Sequence, residues 1–137
     1  MAIEAKLIEK LGTKTELTSL VSTRIYPSER VPSQSSLPRV VYKEISSIPA
    51  GNLGGVVNYY VSLWQFDCLA STYDSAKAIA WVLYQALFSS IGSLGSGFTL
   101  VSVINPQVSD GNDLPQDGYS VGIARAILEV ELTYAIG

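Results

Sequence analysis

Histidine is absent from the chain, and cysteine occurs once, as Cys68. Without histidine, acyl transfer and zinc hydrolysis lose their commonest base and ligand. A lone cysteine rules out an internal disulfide and a cysteine metal cluster. Its place in an apolar run makes Cys68 a small core residue, which suits a reducing compartment. Charge is scarce: Asp, Glu, Lys and Arg make up 15% of the residues, against about 25% in typical domains. The net charge of -3 comes with no Lys/Arg cluster, which argues against nucleic-acid or anionic-membrane binding as a primary role. No stretch approaches the roughly 18 apolar residues of a membrane span. The start, Met1-Ala2-Ile3-Glu4-Ala5-Lys6, has an acid where a signal peptide has a basic and then an apolar region, so synthesis in the cytoplasm is expected. There is no Gly-x-Ser-x-Gly, phosphate-loop or dinucleotide fingerprint, and no catalytic residue, cofactor or metal site is predicted.

What the chain does have is apolar surface, with 47% hydrophobic residues in 137, enough for one domain over residues 1–137 with its own core. It is organised around Gly55 to Gly92. The run Val56 to Cys68 reads as a central strand, with Tyr60, Trp64, Phe66 and Cys68 on one face and Tyr59, Val61 and Leu63 on the other. A helix follows. Ser71 or Thr72 can cap it, Asp74 suits its first turn, and Gly92 stops it. Ala76, Ile79, Ala80, Leu83, Ala86 and Leu87 form one stripe, and Lys77, Trp81, Tyr84 and Phe88 a second on the opposite side. Two apolar stripes need two covering surfaces. Either the helix is sandwiched inside its own subunit, or another subunit covers Trp81, Tyr84 and Phe88.

In chain order, Leu7, Ile8 and Leu11 mark a short amphipathic helix that breaks at Gly12, and Thr15 to Val21 a second helical turn or two. Ser28 to Pro38 is a polar, proline-containing arm, with Arg30 and Gln34 as candidate partner contacts. Arg39 to Ile48 reads as a strand with Val41 and Ile45 on one face and Val40, Tyr42 and Ile48 on the other, paired antiparallel to the central strand through a glycine-rich turn. Gly92 to Gly97 is expected to be a flexible turn and Phe98 to Ile104 a third strand. Asn105 to Gly118 reads as a second polar loop, with Asn112 another candidate contact. In the last strand, roughly Tyr119 to Tyr134, alternation turns Ala126, Leu128, Val130, Leu132 and Tyr134 inward and Arg125, Glu129, Glu131 and Thr133 outward. The expected fold is α+β, a mainly antiparallel four-stranded sheet with helices packed on one face. Asp110, Asp113 and Asp117 fail the calcium-loop pattern, because Pro115 intervenes and no closing Glu follows. Glu129 and Glu131 read as a solvated outer face rather than a catalytic pair.

The element order and several phrases resemble the small tail-terminator proteins of long-tailed bacteriophages, also called tail-completion or tail-to-head joining proteins. The matching stretches are Arg24-Ile25-Tyr26-Pro27, Leu37-Pro38-Arg39-Val40-Val41-Tyr42, and Val61-Ser62-Leu63-Trp64 followed by Tyr73-Asp74-Ser75-Ala76 and the helix to Leu87. The resemblance spans nearly the whole chain. It implies a virion protein that forms a homohexameric ring at the end of the tail tube, where it meets the tail tube protein on one side and a head-completion or connector protein on the other. It implies no catalytic residues. The polar loop from Asn105 is longer than the family pattern. In such a ring, acids from six copies would line a passage through which DNA slides without specific binding, and Asp110, Asp113, Asp117, Glu129 and Glu131 are the candidates. The rival reading is a small-ligand-binding α+β module with its pocket between helix and sheet. An enzyme would need a carboxylate or tyrosine mechanism at a site the sequence does not mark.

Overall fold

The computed structural model describes residues 2–22, 24–28, 37–49, 58–95, 97–110 and 124–136. Among the described residues, three helices, α1 (Ala2–Leu11), α2 (Thr15–Val21) and α3 (Tyr73–Phe88), accompany six strands: β1 (Ile25–Pro27), β2 (Arg39–Pro49), β3 (Asn58–Ala70), β4 (Gly92–Gly95), β5 (Phe98–Asp110) and β6 (Ala124–Ile136). All six join one curled sheet in the order β1-β2-β3-β6-β5-β4. The expected α+β fold with a four-stranded, mainly antiparallel sheet is therefore corrected to a mostly β fold with a six-stranded mixed sheet, in which β1 pairs parallel with β2.

Each extra strand has a local cause. Arg24, in the first of the family-like phrases, donates through Nε to the Pro38 carbonyl at 2.7 Å, and Val40 N–H reaches the Arg24 carbonyl at 2.9 Å. These bonds clip the first phrase onto the second, with Ile25 opposite Val40. Three residues carry too little pattern to read as a strand. At the other edge, the stretch expected to be a flexible turn is β4, paired with β5. Its glycines fit strand ends that need unusual backbone, with φ of 129° at Gly92 and 92° at Gly95. The third strand runs on past Ile104 to Asp110, so the first six residues of the polar loop expected over Asn105 to Gly118 are strand, and the rest of that stretch lies outside the described residues. A bulge absorbs the interruption: Asn105 has φ 56°, and the register shifts between Ile104 and Gln107.

The core lies between α3 and one face of the sheet. Ala76, Ile79, Ala80, Leu83, Ala86 and Leu87 are all buried, against Trp64, Phe66 and Cys68 of β3 and Ala126, Leu128, Val130, Leu132 and Tyr134 of β6. Thr72 caps α3, its hydroxyl accepting from Ser75 N–H at 3.2 Å. Leu7 and Leu11 of α1 and Leu17 and Val21 of α2 close the same core. A buried side-chain polar link runs from β3 to β6. Trp64 Nε1 donates to Ser62 Oγ at 2.7 Å, and Ser62 Oγ donates to the Leu132 carbonyl at 3.2 Å. Cys68 is fully buried, and burial pushes its thiol far up, so it is chemically quiet.

One carboxylate faces the wrong way for its charge. Glu44 pairs with Trp64 on the core side of β2. Burial, and then the nearby charge of Glu4 on α1, push its pKa above the ordinary carboxylate range, although hydrogen bonds with Ser62 and Tyr134 oppose the shift. A raised acid pKa in the folded state means that folding favours the protonated form. The stability tied to Glu44 is thus present at low pH and lost as pH rises through its raised pKa. Glu44→Gln should raise Tm at pH 8, and the gain should shrink steadily as pH falls toward the ordinary carboxylate range. Thermal melts of both proteins across that range check the sign; a gap that widens at low pH would contradict it.

Candidate assembly surfaces

Two surfaces of the protomer carry apolar side chains that none of its described elements cover. The first is the outer stripe of α3. Trp81 is 47% exposed and Phe88 56%, with Tyr84 half-buried between them. Tyr84 meets Trp81 edge-on at 6.2 Å between centroids and Phe88 at 6.2 Å in a tilted pair. The rings thus form one continuous ridge, with Lys77 a turn before it and exposed Tyr73 and Ile91 beyond its two ends. Of the two ways to cover this stripe, sandwiching by the described elements of the same subunit is excluded. Sequence spacing had grouped these residues correctly because the two stripes of a 3.6-residue period are distinct when almost no charge interrupts them.

The second surface is the face of the sheet opposite α3. Cross-strand pairing sets its rows, since residues opposite one another share a face. Ile48 lies beside Val61, and Val61 beside Thr133; Leu63 lies beside Glu131, and Glu131 beside Ile104. Ile48 is 63% and Ile104 43% exposed. The alternation read from sequence put Ile48 on the core side with Val40 and Tyr42. A bulge between Glu44 and Ser46 reverses the faces beyond it and sends Ile48 outward. Toward the other end the same face turns polar. Gln65 stands beside Lys43 and Glu129, Gln65 Nε2 donates to Asp67 Oδ1 at 2.9 Å, and Asp67 pairs with Arg125 at 3.4 Å. The helix-free face therefore has an apolar half around Glu131 and a polar half around Glu129.

Arg30, Gln34, Asn112, Asp113 and Asp117 lie outside the described residues. Asp110 is the last residue of β5. Glu129 and Glu131 stand two positions apart on β6, both half-buried on the helix-free face. The apolar half of that face was missed as a site. Its signal was present in Val61 and Leu63, whose strand reads as apolar on both sides.

The space between α3 and the sheet, where a ligand module would keep its pocket, is filled by the core. Two surface depressions, of about 190 Å³ beside Val82 and Gln85 and about 200 Å³ beside Glu4 and Glu44, fall short of the roughly 300–1,000 Å³ of ordinary ligand sites. Among the described residues, no group of three or more metal-ligating side chains converges, and no helix is long and apolar enough to cross a membrane.

Two comparisons with known proteins found a match. A family model described as tail completion protein gp17 matches residues 5–131. Among solved structures, a chain from the virion of a native gene transfer agent particle superposes with a TM-score of 0.70 at 18% identity, over 96% of this chain and 93% of that one. At that identity the likeness is one of fold. No curated protein matches.

Proposed function

This chain belongs to the tail completion protein gp17 family, a family of structural virion tail proteins, and from that premise we propose that it caps the tail tube as a homohexameric ring and joins it to the head-completion or connector protein. The observation that carries the ring is the uncovered aromatic ridge Trp81-Tyr84-Phe88. A protomer that left such a ridge in water would lose the free energy of burying it, about 1.5–3 kcal/mol for a fully buried large side chain. In a closed ring the same modest contact repeats around the axis, so the ring is firm although each joint is weak. No catalytic step is assigned. In this reading the protein works by the surfaces it offers to its neighbours.

Sedimentation and native mass measurement test this, with the protein alone, concentrated, and mixed with isolated tail tubes. A species at six times the 14.7 kDa protomer mass is expected in at least one condition. A protomer under all of them would sink the ring.

In this reading Glu129, on the polar half, faces a passage for DNA and keeps it from sticking. Glu129→Lys should leave assembly intact and make the ring retain DNA in a gel shift at low salt, with binding falling steeply as salt rises. If the variant ring ignores DNA and ejection is unchanged, Glu129 faces elsewhere.

A further inference from the structure

We infer that the aromatic ridge of α3 in one copy seats on the apolar half of the helix-free sheet face in the next copy, with Lys77 against Glu131. The inference rests on the ring reading and names its joint. The two patches look in opposite directions from one protomer, because α3 packs its other stripe onto the other face of the sheet. Unlike patches on opposite sides make a head-to-tail contact, which closes into a ring when the rotation per subunit allows it.

Size and charge also match. From Lys77 to Phe88 the stripe is about 16 Å long at the helical rise. From β2 across β3 and β6 to β5 the patch is about 14 Å wide at the usual strand spacing. Ile48, Val61, Leu63 and Ile104 offer the aromatic rings an aliphatic floor. The stripe contains a single cation, Lys77, and the apolar half of the face a single anion, Glu131, held between Leu63 and Ile104. A neighbour's aromatic ridge laid over Glu131 alone would bury an uncompensated charge, so an opposing cation is what the patch requires. A second copy supplies one. Glu131 is thereby taken out of the passage and put into the joint.

Carbodiimide cross-linking of an assembled mixture of unlabelled and heavy-isotope protein tests the contact directly. An inter-chain Lys77–Glu131 link is the expected product. Lys77→Glu and Glu131→Lys should each weaken association by about tenfold, while the two together regain most of it, with circular dichroism unchanged throughout. Lys77→Gln and Glu131→Gln replace the reversals if either unfolds the chain. A multimer that forms in all these variants alike overturns the joint and leaves the ring standing. A double variant no better than the singles, or a Glu131 link to the tube protein instead of a second copy, overturns it as well. A wild-type chain that never assembles removes the joint and the ring together.

Discussion

Trp81→Glu combined with Phe88→Glu gives a folded protomer that no longer associates. Both side chains are about half in water already, and surface changes of that kind usually move stability by no more than about 0.5 kcal/mol. In an interface the same two positions are central aromatic anchors. Each truncation there costs on the order of 2 kcal/mol or more, so the pair should weaken association by roughly a thousandfold. Sedimentation read beside circular dichroism separates the two effects. Unfolding of the double variant would mean that the ridge is held by its own subunit.

The opposite result is expected from the other tryptophan. Trp64 is fully buried, within 6.0 Å, ring centroid to centroid, of both Tyr42 and Phe66. Its Nε1–H satisfies the buried Ser62 hydroxyl. Trp64→Ala removes the largest side chain of the core and leaves that hydroxyl without its donor, at a cost of about 3–5 kcal/mol. Against a total stability of roughly 5–15 kcal/mol, the variant should unfold at far lower denaturant concentration and reach the assembly step poorly populated. Trp64→Phe keeps most of the packing and should cost clearly less. Chemical denaturation monitored by circular dichroism reads both. The residue type is the same at 64 and 81, and the two faces of the α3 layer decide whether its loss is felt in folding or in assembly.

The central strand, the long helix and the inward residues of β6 were legible in the sequence because long periodic segments repeat their signal many times. Thr15 to Val21 is only seven residues long, and its signal is the pair Leu17 and Val21, one helical turn apart and both buried. The fold class was not. Ile25–Pro27 and Gly92–Gly95 are three and four residues long, and they become strands only because a neighbour offers an edge. Asn105 and Pro106 read as a loop since their turn chemistry is real, but it serves a bulge inside β5 rather than an end. The face of Ile48 went the same way: alternation is a two-state count, and one extra residue at the Glu44/Ser46 bulge inverts everything after it. On the candidate site, spacing alone assembled Trp81, Tyr84 and Phe88. The sheet patch needed pairing across four strands, because Ile48, Leu63, Glu131 and Ile104 are brought together by register and by nothing in their local sequence.

Electron microscopy of particles carrying an epitope-tagged copy of this protein, labelled with gold, tests the central claim most directly. Capping of the tube by a ring predicts label at a single point, where tail meets head, and tails of uncontrolled length without heads when the protein is withheld. Label distributed along the tube, or particles that are complete without the protein, would contradict it.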